Sequence, residues 1–194
     1  NLSKKINNKT NLDGNFLFKS NNLITNYQTN IFEKTNINDL IFNSNPKISN
    51  FGFYNNYDFI IKNVNSDSQN SEHFKENENY YLSGLFQFNS SLPMIKENDN
   101  FRKILKPKLA LKLSPYDTKD MSNDENRIDV NNIYDLNRLS SDDTIEGGAS
   151  LTFGNDFTIF NKANSRDLFG FKIANNLRID ENEDLPKTNQ IGQK

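Results

Sequence analysis

Three carboxylates, Asp142, Asp143 and Glu146, lie within five consecutive residues and are the first candidates for acid–base chemistry. Two such groups can act as general acid and general base when a nucleophile or a substrate pocket lies beside them. The surrounding sequence indicates neither a nucleophile nor a pocket. We therefore expect a structural role for these residues, and we expect the chain not to be an enzyme.

The sequence also offers little for a metal or a cofactor. Its one histidine, His73, lies in a charged stretch and is expected to be a solvated loop side chain. With one His and no Cys, the usual zinc ligand sets are not available. The acidic stretch 120–129 lacks the Gly and the closing Glu of an EF-hand. Gly147 and Gly148 do not lead into the helix and Lys of a phosphate loop, so no cofactor is predicted.

Charge and hydropathy exclude two further classes. Basic residues are scattered and the net charge is −2, which disfavours nucleic-acid binding. No stretch approaches the roughly 18 apolar residues of a membrane helix. Membrane-spanning strands stay compatible with the mean hydropathy of −0.81, because they alternate apolar and polar residues.

A period of two residues dominates the chain and predicts β-strands at 51–61, 105–113, 144–153 and 169–178. The clearest case has an apolar face of Leu105, Pro107, Leu109, Leu111 and Leu113 and a second face of Lys106, Lys108, Ala110 and Lys112. The three lysines on that second face are expected to meet water. Such a strand fits a sheet with one apolar and one wet side.

Further strands are predicted at 15–19, 23–33, 39–43, 80–89 and 157–160, with polar loops at 43–46, 65–78, 96–100, 116–129 and 180–190. A helical turn is expected within 131–138. The short link 161–166 contrasts with the long link 116–143, as in outer-membrane barrels with short turns at one rim and long loops at the other. A soluble sandwich could give similar spacing, so the loop asymmetry alone does not decide between the two. The predicted fold class is all-β, and we expect an antiparallel transmembrane β-barrel, of which residues 1–194 form a part that is cut at both ends.

Aromatic residues lie towards the ends of the apolar-faced strands. They are Tyr54, Tyr57, Tyr80, Tyr81, Phe86 and Phe88. Rings at such positions form the interfacial girdles of membrane barrels. Aromatics are also good strand formers in any sheet, so they do not by themselves separate a membrane barrel from a soluble sheet.

One stretch points to a family. Residues 137–148 read Asn-Arg-Leu-Ser-Ser-Asp-Asp-Thr-Ile-Glu-Gly-Gly, and Phe153 and Gly154 follow. This stretch resembles the LptD barrel pattern of an Asn-Arg-aromatic-Ser-Gly loop, an Asp-Arg pair, a hydrophobe and Glu-Gly-Gly. Segments 105–109, 14–20 and 48–52 also resemble strands of that family. Leu139, Ser141 and Thr144 depart from the pattern, and Thr144 replaces an Arg that would pair with Asp143 or Glu146.

The resemblance implies a function without bond chemistry. LptD-like proteins receive lipopolysaccharide from periplasmic bridge proteins and insert it into the outer leaflet, so the expected location is the cell outer membrane. The implied partners are an LptE-like lipoprotein plug, lipopolysaccharide, the bridge proteins and outer-membrane lipid, with no nucleic acid. The family-motif residues, expected to be structural and lumen-facing, are Asn137, Arg138, Asp143, Glu146, Gly147 and Gly148.

If 144–153 is one continuous strand, Glu146 points into a polar lumen, and Ile145, Ala149, Leu151 and Phe153 face lipid. A charge on the lipid face costs about 2–4 kcal/mol for Arg or Lys at mid-bilayer, and less for Asp or Glu. Gly147 and Gly148 permit a bend or a close backbone approach.

Two alternatives share the alternation. Another outer-membrane porin or channel barrel would differ only in the motif at 137–148. A soluble β-sandwich binding or adhesin module would pack its apolar face in a dry core between two sheets.

Overall fold

The computed structural model describes residues 2–6, 13–27, 30–72, 77–164, 166–179 and 181–187. They form ten strands: β1 (Leu2–Ile6), β2 (Gly14–Tyr27), β3 (Ile31–Ser44), β4 (Lys47–Ile48), β5 (Tyr54–Gln69), β6 (Asn79–Ser91), β7 (Met94–Glu97), β8 (Phe101–Ser114), β9 (Gly148–Asn161) and β10 (Arg166–Arg178). His73 lies outside the described residues. Within the described ranges, no helix is long and apolar enough to cross a bilayer.

All ten strands belong to one antiparallel sheet with the order β1-β2-β3-β5-β6-β8-β9-β10. The short strand β4 pairs with β5, and β7 pairs with β8. Pro46 and Pro93 directly precede these two short strands. Because proline has no N–H to donate to a ladder, it is expected at such interruptions. A sandwich needs two packed sheets, so the described strands do not form one.

The two faces of the sheet differ as the alternation predicts. On β8, Leu105, Leu109 and Leu113 are exposed, whereas Ala110 and Lys112 are buried. We call the exposed, mainly apolar side the outer face and the other side the inner face. The outer face carries large exposed apolar side chains on seven strands: Phe18, Leu40, Ile61, Leu82, Phe86, Leu105, Leu109, Leu113, Phe153, Phe169, Phe171, Ile173 and Leu177. The strand-face assignments at 105–113 and 169–178 are confirmed.

The inner face is covered by the long connection between β8 and β9. We call residues 115–147 the inner loop. Leu139 and Met121 of this loop pack with Leu185 from the segment after β10. Ile145 packs on Ile60 and Leu85, which project from the inner faces of β5 and β6. The middle of the inner face is therefore buried against the protein's own chain.

Several predicted boundaries are wrong. The stretch 23–33 is not one strand, because the chain reverses between β2 and β3, where Asn30 has φ 64°. Strand β5 begins at Tyr54, after a turn in which Gly52 has φ 83°, and it continues to Gln69 inside the stretch predicted as a loop. Its polar outer residues past Ile61 hid this extension. The prediction at 131–138 is confirmed only as turns, including an Ile133 N–H bond to the Asp129 carbonyl of 3.0 Å.

The predicted strand at 144–153 is also corrected. Strand β9 starts only at Gly148, which has φ 79°, so the alternation cannot be extended back through it. Ile145 therefore does not face lipid and is 1% exposed beneath the inner face. The outward placement of Leu151 and Phe153 holds, because both lie within β9 opposite the outer residues of β8.

Candidate functional site

A buried ionic network joins the inner loop to the last strand. Arg138 donates through Nε to Glu146 Oε2 at 2.6 Å and through Nη2 to Oε1 at 2.5 Å. Arg178, at the end of β10, donates to the same carboxylate and, at 2.6 Å, to the Gly147 carbonyl. Arg138 also donates to Thr152 Oγ1 at 3.2 Å and to Asn176 Oδ1 at 2.9 Å. The loop is thus tied to both β9 and β10.

This network lies out of water. The side chains of Arg138, Glu146 and Arg178 are at most 4% exposed. Burial opposes ionisation of Glu146, but the positive charges of Arg138, Lys112 and Arg178 outweigh it and hold the pKa of that carboxyl below its usual value. A buried ion pair often adds no net stability over a well-packed apolar replacement, yet loss of one partner strands a buried charge. The network therefore fixes the loop geometry.

Two glycines let the loop approach the sheet. A Cβ at Gly147 would overlap the Tyr116 carbonyl oxygen and lie 2.9 Å from the Thr118 nitrogen. The Gly147 N–H donates to Thr118 Oγ1 at 2.8 Å. Gly148 has φ 79°, and a Cβ there would lie 2.8 Å from Arg178 Nη2. Only glycine allows this crossing of two backbones beside a guanidinium.

Two lysines of the inner face hold loop carbonyls. Lys62 donates at 2.7 Å to the Asp142 carbonyl and pairs at 2.7 Å with Asp39 on β3. Lys112 donates to the carbonyls of Asp135 and Leu136, the latter at 3.3 Å. Lys112 is 1% exposed, so the prediction that this lysine meets water is wrong. A lysine ammonium group has three N–H donors, which suits the several carbonyls of an irregular loop.

Asp143 lies apart from Glu146 and pairs with Lys119 and Ser141. Burial by itself would raise the pKa of Asp143. The hydrogen bonds from Lys119 and Ser141 lower this pKa by more, so it lies below the usual value for an aspartate. Thr144, where the pattern has Arg, accepts from the Lys119 N–H at 3.1 Å. An Arg at position 144 would have paired with Asp143 or Glu146. In its absence, Asp143 pairs with Lys119, and Glu146 pairs with two arginines.

A chamber of about 370 Å³ lies between the inner loop and the inner face of the sheet. Its wall combines apolar residues such as Pro93 and Leu109 with the polar side chains of Asn56, Asn89, Lys106, Lys108 and Tyr134. Lys108 pairs with Asp156 and lies 5.0 Å from the centre of the Tyr134 ring. Burial, followed by the charge of Asp156, raises the pKa of Tyr134 to about 12. The chamber offers hydroxyl, amide and ammonium groups to a polar ligand.

The geometry gives no acid–base pair. Glu146 is fully engaged by two guanidiniums, and Asp143 is held by Lys119. Across the described parts of the chain, no three His, Asp or Glu side chains are placed to hold a metal. The site can hold the inner loop firmly against the inner face of the sheet, and it presents polar side chains in the chamber beside that loop.

A family model described as LPS transport system D, LptD, matches residues 54–193. The chain belongs to the LptD family. The family is one of outer-membrane β-barrel proteins of lipopolysaccharide transport, so the apolar outer face is the barrel surface that meets lipid. The ten strands are part of that barrel wall, with the described sheet open between β1 and β10. None of the curated proteins matches the chain.

The LptD motif residues separate into two groups. Arg138, Glu146, Gly147 and Gly148 come together in the buried network, whereas Asp143 lies beside Lys119 at the loop surface. Asn137 donates to the Ser141 carbonyl at 2.8 Å, and its Oδ1 is buried without a partner. Their structural, lumen-facing role in the whole barrel stays a prediction.

The family motif did not predict the residues elsewhere in the chain that bind the inner loop. Arg178, Lys112 and Lys62 each lie on the inner face of a strand and bind the loop. The alternation already placed Arg178 and Lys112 on the polar face, which was the available signal. Pairing them with the loop required the register of β8, β9 and β10, and the sequence does not give that register.

Proposed function

We propose that this chain is part of the barrel that carries lipopolysaccharide through the outer membrane and releases it into the outer leaflet. The observation that carries the proposal is the match to the LptD family together with a chamber, lined in part by amide and ammonium groups, on the inner side of an apolar-faced sheet. Sugar headgroups pass along the polar wall of Asn56, Asn89 and Lys106, while lipid meets the outer face. The reaction class is transport, with no bond made or broken.

The loops give the orientation in the proposal. Residues 70–72, residues 77–78 and the inner loop lie at one rim, whereas residues 162–164, which follow β9, lie at the other. In outer-membrane barrels the long loops lie outside the cell and the short turns in the periplasm. The chamber, bordered by Pro46 and Pro93, then opens towards the periplasmic rim, the side from which bridge proteins deliver lipopolysaccharide.

The uncovered part of the inner face supports a protein plug as partner. A cavity of about 620 Å³ is bounded by Asn21, Leu23, Thr35 and Ile37 of β2 and β3 and by the acidic inner loop. Leu23 is 57% exposed there. An LptE-like lipoprotein would cover these side chains inside the complete barrel, and residues 1–194 would form only a part of that barrel.

A matched pair of positions tests the transport path. Asn89 lies on the chamber wall of β6, and the adjacent Phe88 points to the outer face and does not line the chamber. With a photo-reactive amino acid at either position in the full-length protein in cells, we expect lipopolysaccharide adducts at position 89 and few at position 88. The adducts at 89 should disappear when energy for transport is withdrawn. Equal adducts at both positions would contradict passage through the inner side.

A further inference from the structure

The outer face changes character abruptly along β2, β3 and β5. Cross-strand pairs align one row of Phe16, Phe42, Phe59 and Phe86 and a second row of Phe18, Leu40 and Ile61. The rings of Phe42 and Phe59 stack at 5.4 Å and that of Phe16 lies 4.6 Å from Phe42. The exposed members of these rows, Phe18, Leu40, Ile61 and Phe86, form the lipid-facing surface, whereas Phe42 is covered by its neighbours. The next two rows towards the long-loop rim carry amides.

We call these two rows the asparagine patch. It consists of Ser20, Asn22, Asn36, Asn38, Asn63 and Asn65. The side chains bond to one another across three strands: Asn38 donates to Asn63 at 3.3 Å, and Asn65 donates to Asn63 at 2.8 Å and to Asn36 at 3.4 Å. Because each amide has two donors and an acceptor with two lone pairs, an exposed network of this kind keeps free hydrogen-bonding capacity.

A groove of about 410 Å³ adjoins the patch on β3, β5 and β6. It is lined by Lys34, Asn36, Asn65, Ser66, Asp67, Glu78, Asn79 and Tyr80. Tyr80 pairs with Asn65 in register and leaves its ring 66% exposed. An exposed ring beside planar amides presents both an apolar surface and directional hydrogen bonds. That combination fits the face and the hydroxyls of a sugar ring.

The charged side chains of the groove limit the kind of ligand that it can bind. The groove carries one cationic side chain, Lys34, and two anionic ones, Asp67 and Glu78. A site with this balance does not attract a phosphate, whereas neutral hydroxyl groups can bond to amides and carboxylates alike. The groove therefore favours uncharged saccharide over the phosphate groups of a lipid.

The position of the asparagine patch along the strands indicates which molecule supplies the sugar. The amide rows lie two and four residues beyond Ile61, about 7–14 Å along the strand at roughly 3.3 Å per residue. With a strand tilt near 45°, this is about 5–10 Å above the apolar surface, which is the headgroup layer of the membrane. We propose that the asparagine patch and its groove form a saccharide site on the outside of the barrel wall that holds the sugar headgroup of an outer-leaflet glycolipid.

This inference rests on the orientation given under Proposed function, and its test is kept separate from transport. The full-length protein in its complex is placed in nanodiscs that contain phospholipid with or without lipopolysaccharide bearing its core sugars. Native mass spectrometry counts the lipopolysaccharide retained by each barrel. The test variant combines Asn36→Ala, Asn65→Ala and Tyr80→Ala. The matched control is Asn55→Ala, on the same strand and face as Asn65 but beyond the other side of the apolar rows.

We expect the test variant to retain about tenfold less lipopolysaccharide, since two hydrogen-bonding amides and one ring contact are lost. The control should retain as much as the natural protein, and free core oligosaccharide should compete while glycerophosphate should not. Heat-modifiable mobility in gels checks that each variant has folded. Unchanged retention in a folded test variant, or an equal loss in the control, would overturn the proposal. A transport assay on the same variants is read separately, because reduced retention with normal transport supports the groove, whereas the cross-linking at position 89 tests the transport path.

Discussion

Glu146→Ala should cost the folded barrel about 3–5 kcal/mol, because it leaves two guanidiniums buried without their carboxylate. Arg138 and Arg178 both bond to Glu146 and are at most 1% exposed. The inner loop would lose the carboxylate that joins Arg138 to Arg178 of β10. We expect faster proteolysis of the inner loop in the full-length protein, a lower unfolding temperature by heat-modifiable gel mobility, and a more permeable outer membrane in cells.

The matched control is Glu97→Ala. Glu97 also bonds to two cations, Arg102 and Lys162, but all three side chains are well exposed at the rim. Exposed ion pairs contribute little to stability, so this variant should behave like the natural protein. A second variant replaces the whole network with apolar residues, Arg138→Met, Glu146→Leu and Arg178→Met. It should recover much of the lost stability, since no charge stays stranded. Equal losses in Glu146→Ala and Glu97→Ala would show that the buried network does not hold the loop.

Gly147→Ala should destabilise the barrel by about 2–3 kcal/mol, because the added methyl group meets the backbone of the same loop. The Tyr116 carbonyl oxygen and the Thr118 nitrogen occupy the space in which a Cβ would lie. Neither neighbour is the end of a flexible side chain that could move aside. The start of β9 would have to shift, and the Gly147 bond to Thr118 would weaken.

Gly170→Ala is the control for this prediction. A Cβ at Gly170 on β10 meets nothing within 4 Å. Replacement of glycine by alanine in a strand without a clash should be neutral or slightly stabilising, because the unfolded chain loses freedom. The two variants should therefore differ clearly in unfolding temperature and in the yield of folded barrel. The same small loss in both would mean that the close approach at Gly147 is not needed.

The sheet was largely predictable because its signal is local. From Leu105 to Leu113 of β8, every second residue is a leucine or proline, and this pattern alone assigned Leu105, Leu109 and Leu113 to the outer face, where they lie. The strand ends were less predictable. Polar outer residues such as Asn63 and Asn65 removed the alternation from the upper half of β5, although the strand continues to Gln69. A strand that rises beyond the hydrocarbon layer has no reason to keep an apolar face.

The site was only half predictable, because its partners are distant in sequence. The resemblance singled out Arg138 and Glu146, eight residues apart, but not that they bond to each other. Arg178 meets Glu146 across 32 residues, and Lys62 meets the loop across 80. Ile145 was misplaced because the positive φ of Gly148 resets the alternation, and no hydrophobic pattern reveals a single backbone angle.

The most direct test of the account is the environment of β8 in the full-length protein in membranes. Single spin labels placed in turn at positions 105–114 report contact with oxygen, which concentrates in lipid, and with a water-soluble nickel complex. We expect positions 109, 111 and 113 to contact oxygen and exclude nickel, positions 110 and 112 to exclude both beneath the inner loop, and position 106 to admit nickel from the polar chamber. If positions 109, 111 and 113 admit the nickel complex, the outer face meets water, and the assignment of this sheet to a membrane barrel wall is wrong.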